Sequence, residues 1–159
     1  MEKKDLKPAG VFKYFEEICQ VPRPSKKEEK MIAYLKAFGA KHNLETKVDE
    51  AGNVLIKKPA TPGKENLQTV VLQSHIDMVC EKNNDVQHDF LTDPIETEID
   101  GEWLKAKGTT LGADNGIGVA TELAILADDS IEHGPLECLF TVDEETGLTL
   151  SLIHISEPT

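Results

Sequence analysis

The sequence is poor in cysteine and in long apolar runs, and each shortage excludes a class of protein. Its three cysteines are an odd number without C-x-x-C spacing, so neither a disulfide framework nor a zinc finger is predicted, and a reducing compartment fits best. No apolar run approaches the roughly 18 residues that a membrane-spanning helix needs. Residues 1–5 lack the apolar core of a secretory signal. We therefore expect a cytoplasmic protein.

Basic residues are scarce in the second part of the chain. Residues 1–50 carry 11 basic and 9 acidic side chains, whereas residues 51–159 carry 6 basic and 20 acidic ones. Such a negative field repels nucleic acid phosphates and anionic membrane surfaces, and it suits cations. We therefore expect no nucleic acid partner and no membrane partner. A solvated acidic surface that aids solubility accounts for most of these charges.

Helical and strand patterns alternate along the chain, which is typical of an α/β domain. Two amphipathic helices come first, and Ser25 with Glu28 matches a capping box at the start of the second. Strands are predicted at 44–50, 54–58, 69–72, 103–106 and 136–142. The runs at 69–72 and 136–142 are of the kind found in strands buried on both faces. The segment 81–102 is interpreted as irregular.

A glycine cluster surrounds a single carboxylate, Asp114, with four glycines in residues 108–118. Glycine is concentrated where the backbone takes a positive φ or approaches another group closely. Apolar residues at helical spacing follow the cluster. Asp114 is therefore predicted to lie just before a helix N-terminus, with its oxygens facing a cleft. A simple capping role in a glycine-rich turn is the alternative that this segment leaves open.

Two of the predicted strands end in groups that can bind metals. His75 and Asp77 follow one strand, and their spacing puts both side chains on the same side, where the carboxylate can orient the imidazole. Glu144 and Glu145 follow another strand and repel each other unless a cation or a proton intervenes. One could bind a metal while the other acts as a base. A histidine hydrogen-bonded to its neighbour and a solvated acidic turn are the alternatives.

The same segments resemble a known family. Residues 74–83, 108–116 and 140–147 are similar, in order, to motifs of the M20-type co-catalytic zinc peptidases, and among them of the bacterial aminoacyl-histidine dipeptidases. The resemblance covers nearly all of residues 5–149. It implies a zinc-peptidase-like catalytic domain, built on a mixed sheet with helices on both faces. It also implies hydrolysis of unblocked dipeptides, including Xaa-His, by a water molecule that two zinc ions activate.

The resemblance further implies a role for each residue of the three segments. His75 would bind one zinc ion, Asp114 would bridge two, and Glu145 would bind the other. Glu144 would be the general base, and Asp77 would orient His75. Two Zn²⁺ ions are therefore expected per site, with Co²⁺ or Mn²⁺ as alternatives.

The resemblance ends close to residue 149. Residues 150–159 depart from the family pattern and read as a non-native tail, so residues 1–149 are interpreted as the N-terminal portion of a truncated catalytic domain. The family takes a further carboxylate, a further histidine and a lid or dimerisation domain from later sequence, which implies a homodimeric parent. We expect the chain alone to be inactive. We also expect the strand at 136–142 to present an uncovered edge.

Two other classes of function remain open. A metal-free hydrolase with paired carboxylates, such as a glycosidase, would also place acids at separate strand ends, but it has no use for His75 beside Asp77. A non-catalytic acidic interaction module would not require the three segments to converge. Sensitivity to a chelator separates the first class from a zinc peptidase, and alanine at Asp114 separates the second.

Overall fold

The computed structural model describes residues 1–147, which contain three α-helices and six β-strands. The helices are α1 (Ala9–Cys19), α2 (Glu29–Lys41) and α3 (Ala113–Ala127). The strands are β1 (Glu45–Val48), β2 (Val54–Lys58), β3 (Val70–His75), β4 (Thr97–Asp100), β5 (Trp103–Ala106) and β6 (Leu136–Thr141). None of these helices is long and apolar enough to cross a lipid bilayer. The tail predicted at 150–159 lies outside the described residues.

Four of the strands form one mixed sheet, in the order β1-β2-β6-β3. β2 pairs antiparallel with both β1 and β6, whereas β3 runs parallel to β6. β4 and β5 form a separate antiparallel pair. The α/β class and the mixed sheet are therefore confirmed, and the strands predicted at 44–50 and 54–58 pair with each other as an antiparallel hairpin.

The helices pack against the apolar face of this sheet. Thr46, Ile56 and Cys138 stand side by side on neighbouring strands and therefore share that face. Thr46 packs directly against Gly39 of α2, and the charge of Glu122 in α3 acts on Cys138. α2 and α3 thus lie on the same face, and α1 packs against α3. The helices expected on the second face are not among the described residues.

β3 is an edge strand of the described sheet, and this corrects two predictions. Val70 and Val71 are 50% and 56% exposed, so β3 is not buried on both faces. The reason is that no strand within residues 1–147 pairs with its outer side. β6 is paired on both sides, by β2 and β3. The uncovered edge predicted at 136–142 is therefore wrong for that strand and occurs at β3 instead.

Two local predictions are also wrong. The segment 81–102 is not irregular throughout, because its last part forms β4 and pairs with β5. Ser25 and Glu28 do not form a capping box, since α2 begins at Glu29 without a side-chain cap. The Ser25 hydroxyl and the Glu28 carboxylate instead bind groups in the loops at the end of the sheet. Long-range hydrogen bonds thus replace the local ones that the sequence pattern predicts.

Glu122 is a carboxylate of α3 that is buried against the sheet. Burial raises its pKa from 4.5 to about 8, against the opposing effect of the Ser74 hydroxyl. The folded state holds the proton of Glu122 more tightly than the unfolded chain does. The contribution of this proton to stability is therefore fully present below a pH of about 4.5 and is lost as the pH rises through about 8. We expect Glu122→Gln to remove most of this loss, which is on the order of a few kcal/mol.

The measurement is the free energy of unfolding by urea, followed across that pH range. Glu132→Gln is the matched control, because the Glu132 side chain is exposed. If the wild-type protein and Glu122→Gln lose stability in parallel as the pH rises, burial does not control the titration of Glu122.

Candidate metal centre

Three loops meet where the parallel strands β3 and β6 end and α3 begins. His75 is the last residue of β3 and pairs with Thr141, the last residue of β6. Glu144 and Glu145 lie in the turn that follows β6. Asp114 reaches the same place from the start of α3. The structure thus brings together all three segments that the sequence singles out.

The carboxylates of these loops surround one nitrogen of His75. The Nε2 atom lies 3.1 Å from an oxygen of Asp114, 3.7 Å from one of Glu144 and 3.9 Å from one of Glu145. The imidazole is 9% exposed and the Asp114 side chain 88% exposed, so the cluster opens to solvent above a buried histidine. One ligand atom each from His75, Asp114 and Glu145 lies within 4.8 Å of the other two. Nitrogen and carboxylate donors this close together suit a divalent transition metal.

Asp77 is fully buried and holds two of the loops together. Its Oδ1 accepts the backbone N–H of Glu144 at 3.0 Å, and its Oδ2 accepts that of Glu145 at 3.1 Å. The Ser25 hydroxyl donates to Oδ2 at 2.6 Å. The Nδ1 atom of His75 lies 3.3 Å from Oδ1 and 3.0 Å from the Asp77 carbonyl oxygen. Because Nδ1 faces Asp77, Nε2 faces the carboxylate cluster.

Glu144 and Glu145 differ in their surroundings. The Glu144 side chain is 38% exposed and that of Glu145 is 23% exposed. Partial burial, and then the negative charge of Glu144, raise the pKa of Glu145. Crowding of like charges in this way is relieved by a cation. The turn after β6 therefore favours binding of a positive ion.

Asp114 occupies an irregular first turn of α3. Its φ and ψ are −94° and 105°, outside the helical range, and those of Asn115 are −111° and 37°. The Asn115 side chain accepts the backbone N–H of Gly118 at 3.2 Å, so Asn115 rather than Asp114 caps the helix. Gly112 precedes this turn with a φ of 77°, which glycine adopts readily. Asp114 is thus directed at His75 and does not perform the simple capping role.

Three contributors to the site were missed by sequence reasoning, and all lie between α1 and α2. Ser25 donates to Asp77, and Glu28 accepts the backbone N–H of Asp143 at 3.0 Å. The Arg23 guanidinium binds backbone groups in two of the loops. Ser25 and Glu28 carry a visible signal, but it is the same as that of a capping box. Arg23 belongs to no motif that the sequence analysis considers.

Comparison with known proteins places the chain in a family. The sequence pattern of peptidase family M20/M25/M40 matches residues 71–156, which is more than half of the chain and includes all three loops. The chain belongs to peptidase family M20/M25/M40. It is also 52% identical over 147 residues to the cytosol non-specific dipeptidase of Escherichia coli K12, covering 92% of this chain and 30% of that protein.

Solved structures of peptidases agree with the assignment to family M20/M25/M40. The crystal structure of aminoacylhistidine dipeptidase from Vibrio alginolyticus matches with a TM-score of 0.91 and 54% identity, over 94% of this chain and 30% of that one. Aminopeptidase PepT from Bacillus cereus matches with a TM-score of 0.71 and 25% identity, over 87% and 37% of the two chains. The chain therefore spans about 30% of the length of its two dipeptidase relatives.

Proposed function

We propose that this chain supplies part of the metal centre of an M20 dipeptidase. The observation that carries the proposal is the cluster of His75, Asp114 and Glu145, whose ligand atoms lie within 4.8 Å of one another. The names of the two dipeptidase relatives support dipeptides as substrates, with Xaa-His among them, and a cytosolic place of action. That these dipeptides are unblocked stays a prediction. A homodimeric parent stays a prediction.

The donors fit zinc, and Co²⁺ or Mn²⁺ are the alternatives. His75 would bind one ion through Nε2, Glu145 would bind a second, and Asp114 would offer one carboxylate oxygen to each. These residues give each ion about two protein ligands, fewer than the three that catalytic zinc sites usually have. Further ligands are expected from the sequence that the longer relatives have and this chain does not span. For that reason we expect the chain alone to bind metal weakly and to be inactive.

The residues around this centre would have different roles in hydrolysis. A pair of divalent ions would lower the pKa of a water molecule and polarise the scissile carbonyl. Glu144, whose Oε2 lies 3.7 Å from the His75 Nε2 atom, would accept the proton of that water and return it to the leaving amine. Asp77 would hold the imidazole through Nδ1 and fix the Glu144–Glu145 turn through two backbone N–H groups.

Metal binding by the chain tests the proposal directly. We expect the chain to bind Co²⁺ with a visible absorption spectrum. Loss of a residue that only supports a metal ligand costs about 10- to 100-fold in metal affinity. Because His75 and Asp114 would be ligands themselves, His75→Ala and Asp114→Ala should each weaken Co²⁺ binding by more than this. Asp129→Ala is the matched control, because Asp129 is an exposed aspartate of the loop after α3. Equal Co²⁺ affinity of Asp114→Ala and Asp129→Ala would contradict the proposal.

Activity is tested in a chimera in which residues 1–147 are joined to the remaining part of the E. coli relative. We expect the chimera to hydrolyse dipeptides and to lose this activity when a chelator removes its metal. Hydrolysis that survives exhaustive chelation would instead support the metal-free pair of carboxylates.

A further inference from the structure

Arg23 is a buried cation that connects two of the three loops. It is 2% exposed. Its Nη1 donates to the carbonyl oxygen of Ile76 at 3.0 Å, and its Nη2 donates to that of Gly112 at 2.8 Å. Ile76 directly follows His75, and Gly112 lies two residues before Asp114. The Arg23 guanidinium thus binds the backbone next to His75 and the backbone close to Asp114. The Nε2 atom of His75 and the Oδ1 atom of Asp114 lie 3.1 Å apart.

The glycine loop is shaped to receive this guanidinium. A Cβ atom at Gly112 or at Gly116 would lie 2.7 Å from the Nη2 atom of Arg23, which is too close for either group to stay in place. The backbone of Arg23 adds a further link, because its carbonyl oxygen accepts the N–H of Met78 at 3.1 Å. The guanidinium is therefore fixed by the loop after β3 on one side and by the start of α3 on the other.

We propose that Arg23 is a positioning residue that sets the separation of His75 and Asp114 in the metal centre; this inference rests on the proposed function. A guanidinium suits the task because its donors form a rigid fork, so two carbonyl oxygens bound to it keep a fixed spacing. Without it, the carbonyl oxygens of Ile76 and Gly112 lose the donor that they share, although Gly112 keeps the N–H of Gly116. Nothing then fixes the spacing of the two loops at this point. The two metal-binding side chains then lose their common orientation.

A purely structural role must be separated from this positioning role, since removing any buried hydrogen-bonded cation costs stability. Lys58 offers the matched control. It is also buried, and its ammonium also donates to two backbone carbonyl oxygens, those of Ile125 and Asp128. Those carbonyls lie at the opposite end of α3 from Asp114. Arg23→Met and Lys58→Met therefore make the same kind of change, one beside the candidate centre and one remote from it.

The experiment compares Co²⁺ binding by the two variants of the whole chain, at a temperature where both are folded. We expect Arg23→Met to weaken Co²⁺ binding by about 10- to 100-fold and to change the visible spectrum of the bound ion. Lys58→Met should bind Co²⁺ as the wild-type chain does. Equal affinities of the two variants would overturn the positioning role. If Arg23→Met does not fold, Gly116→Ala replaces it, because its Cβ displaces the guanidinium but keeps the charge.

A measurement without metal separates this inference from the proposed function. The ¹⁵N NMR signal of the His75 Nε2 atom reports its hydrogen bond to Asp114 in the metal-free chain. We expect Arg23→Met and Gly116→Ala to shift this signal and Lys58→Met to leave it unchanged. If the wild-type chain and His75→Ala bind Co²⁺ equally, the proposed function fails, and the NMR signal still tests Arg23. If the signal is unshifted in both Arg23→Met and Gly116→Ala, the positioning role of Arg23 is wrong.

Discussion

Glu144→Gln is expected to abolish dipeptide hydrolysis by the chimera with the E. coli relative while leaving its metal content unchanged. The amide that replaces the carboxylate cannot accept a proton from water, and removal of a general base typically costs about 10²–10⁴-fold in rate. The metal should stay bound because His75, Asp114 and Glu145 form a cluster that does not include Glu144. Turnover of a dipeptide such as β-alanyl-histidine and metal content by atomic emission are the two measurements.

Glu145→Gln is the matched control for this prediction. Glu145 is the neighbour of Glu144 in the same turn, and the chemical change is identical, but its oxygen belongs to the ligand cluster. We therefore expect Glu145→Gln to lose metal and activity together. Loss of metal in Glu144→Gln would mean that the two glutamates exchange roles. Turnover like that of the wild-type chimera in Glu144→Gln would assign the base to another residue.

The sequence carries most of the information about the candidate centre because each of its loops has a local signal. Asp114 stands in a glycine cluster before a helical pattern, and His75 follows an apolar run with a carboxylate two residues later. Loops after strands of a parallel pair collect at one edge of a sheet. β3 and β6 are such a pair, and their register places His75 beside Thr141, three residues before Glu144.

The support of the centre could not be predicted in the same way, because it depends on contacts between residues far apart in the chain. Ser25 and Glu28 have the spacing of a capping box. In the folded chain, however, the Ser25 hydroxyl donates to Asp77 and the Glu28 carboxylate accepts the N–H of Asp143. Neither partner is near in the sequence, so a local pattern does not predict these bonds. Arg23 binds carbonyl oxygens, which every residue has, so its partners leave no trace in the sequence. The edge position of β3 likewise depends on which strands lie beside it.

Asp77→Asn is expected to weaken metal binding and to lower stability together. The Asp77 carboxylate is fully buried and faces donors on both oxygens, namely the N–H groups of Glu144 and Glu145 and the hydroxyl of Ser25. Asparagine puts an NH₂ group against one of these donors, whichever way the amide is turned. A buried donor left without a partner costs about 1–3 kcal/mol. Loss of the partner of a metal-bound histidine costs about 10- to 100-fold in metal affinity.

Asp49→Asn distinguishes these two effects. The Asp49 carboxylate also accepts three hydrogen bonds, from the backbone N–H groups of Gly52 and Asn53 and from the side-chain amide of Asn53, but in the turn between β1 and β2. Asp49 is linked to the turn after β6 through Asn53, whose Oδ1 accepts the backbone N–H of Val142 at 2.9 Å. Asp49→Asn should therefore lower the free energy of unfolding but weaken Co²⁺ binding less than Asp77→Asn does. Equal losses of affinity would show that stability alone controls binding. Ser25→Ala removes only one donor from Asp77, so it should weaken Co²⁺ binding less than Asp77→Asn does if orientation of His75 is what Asp77 supplies.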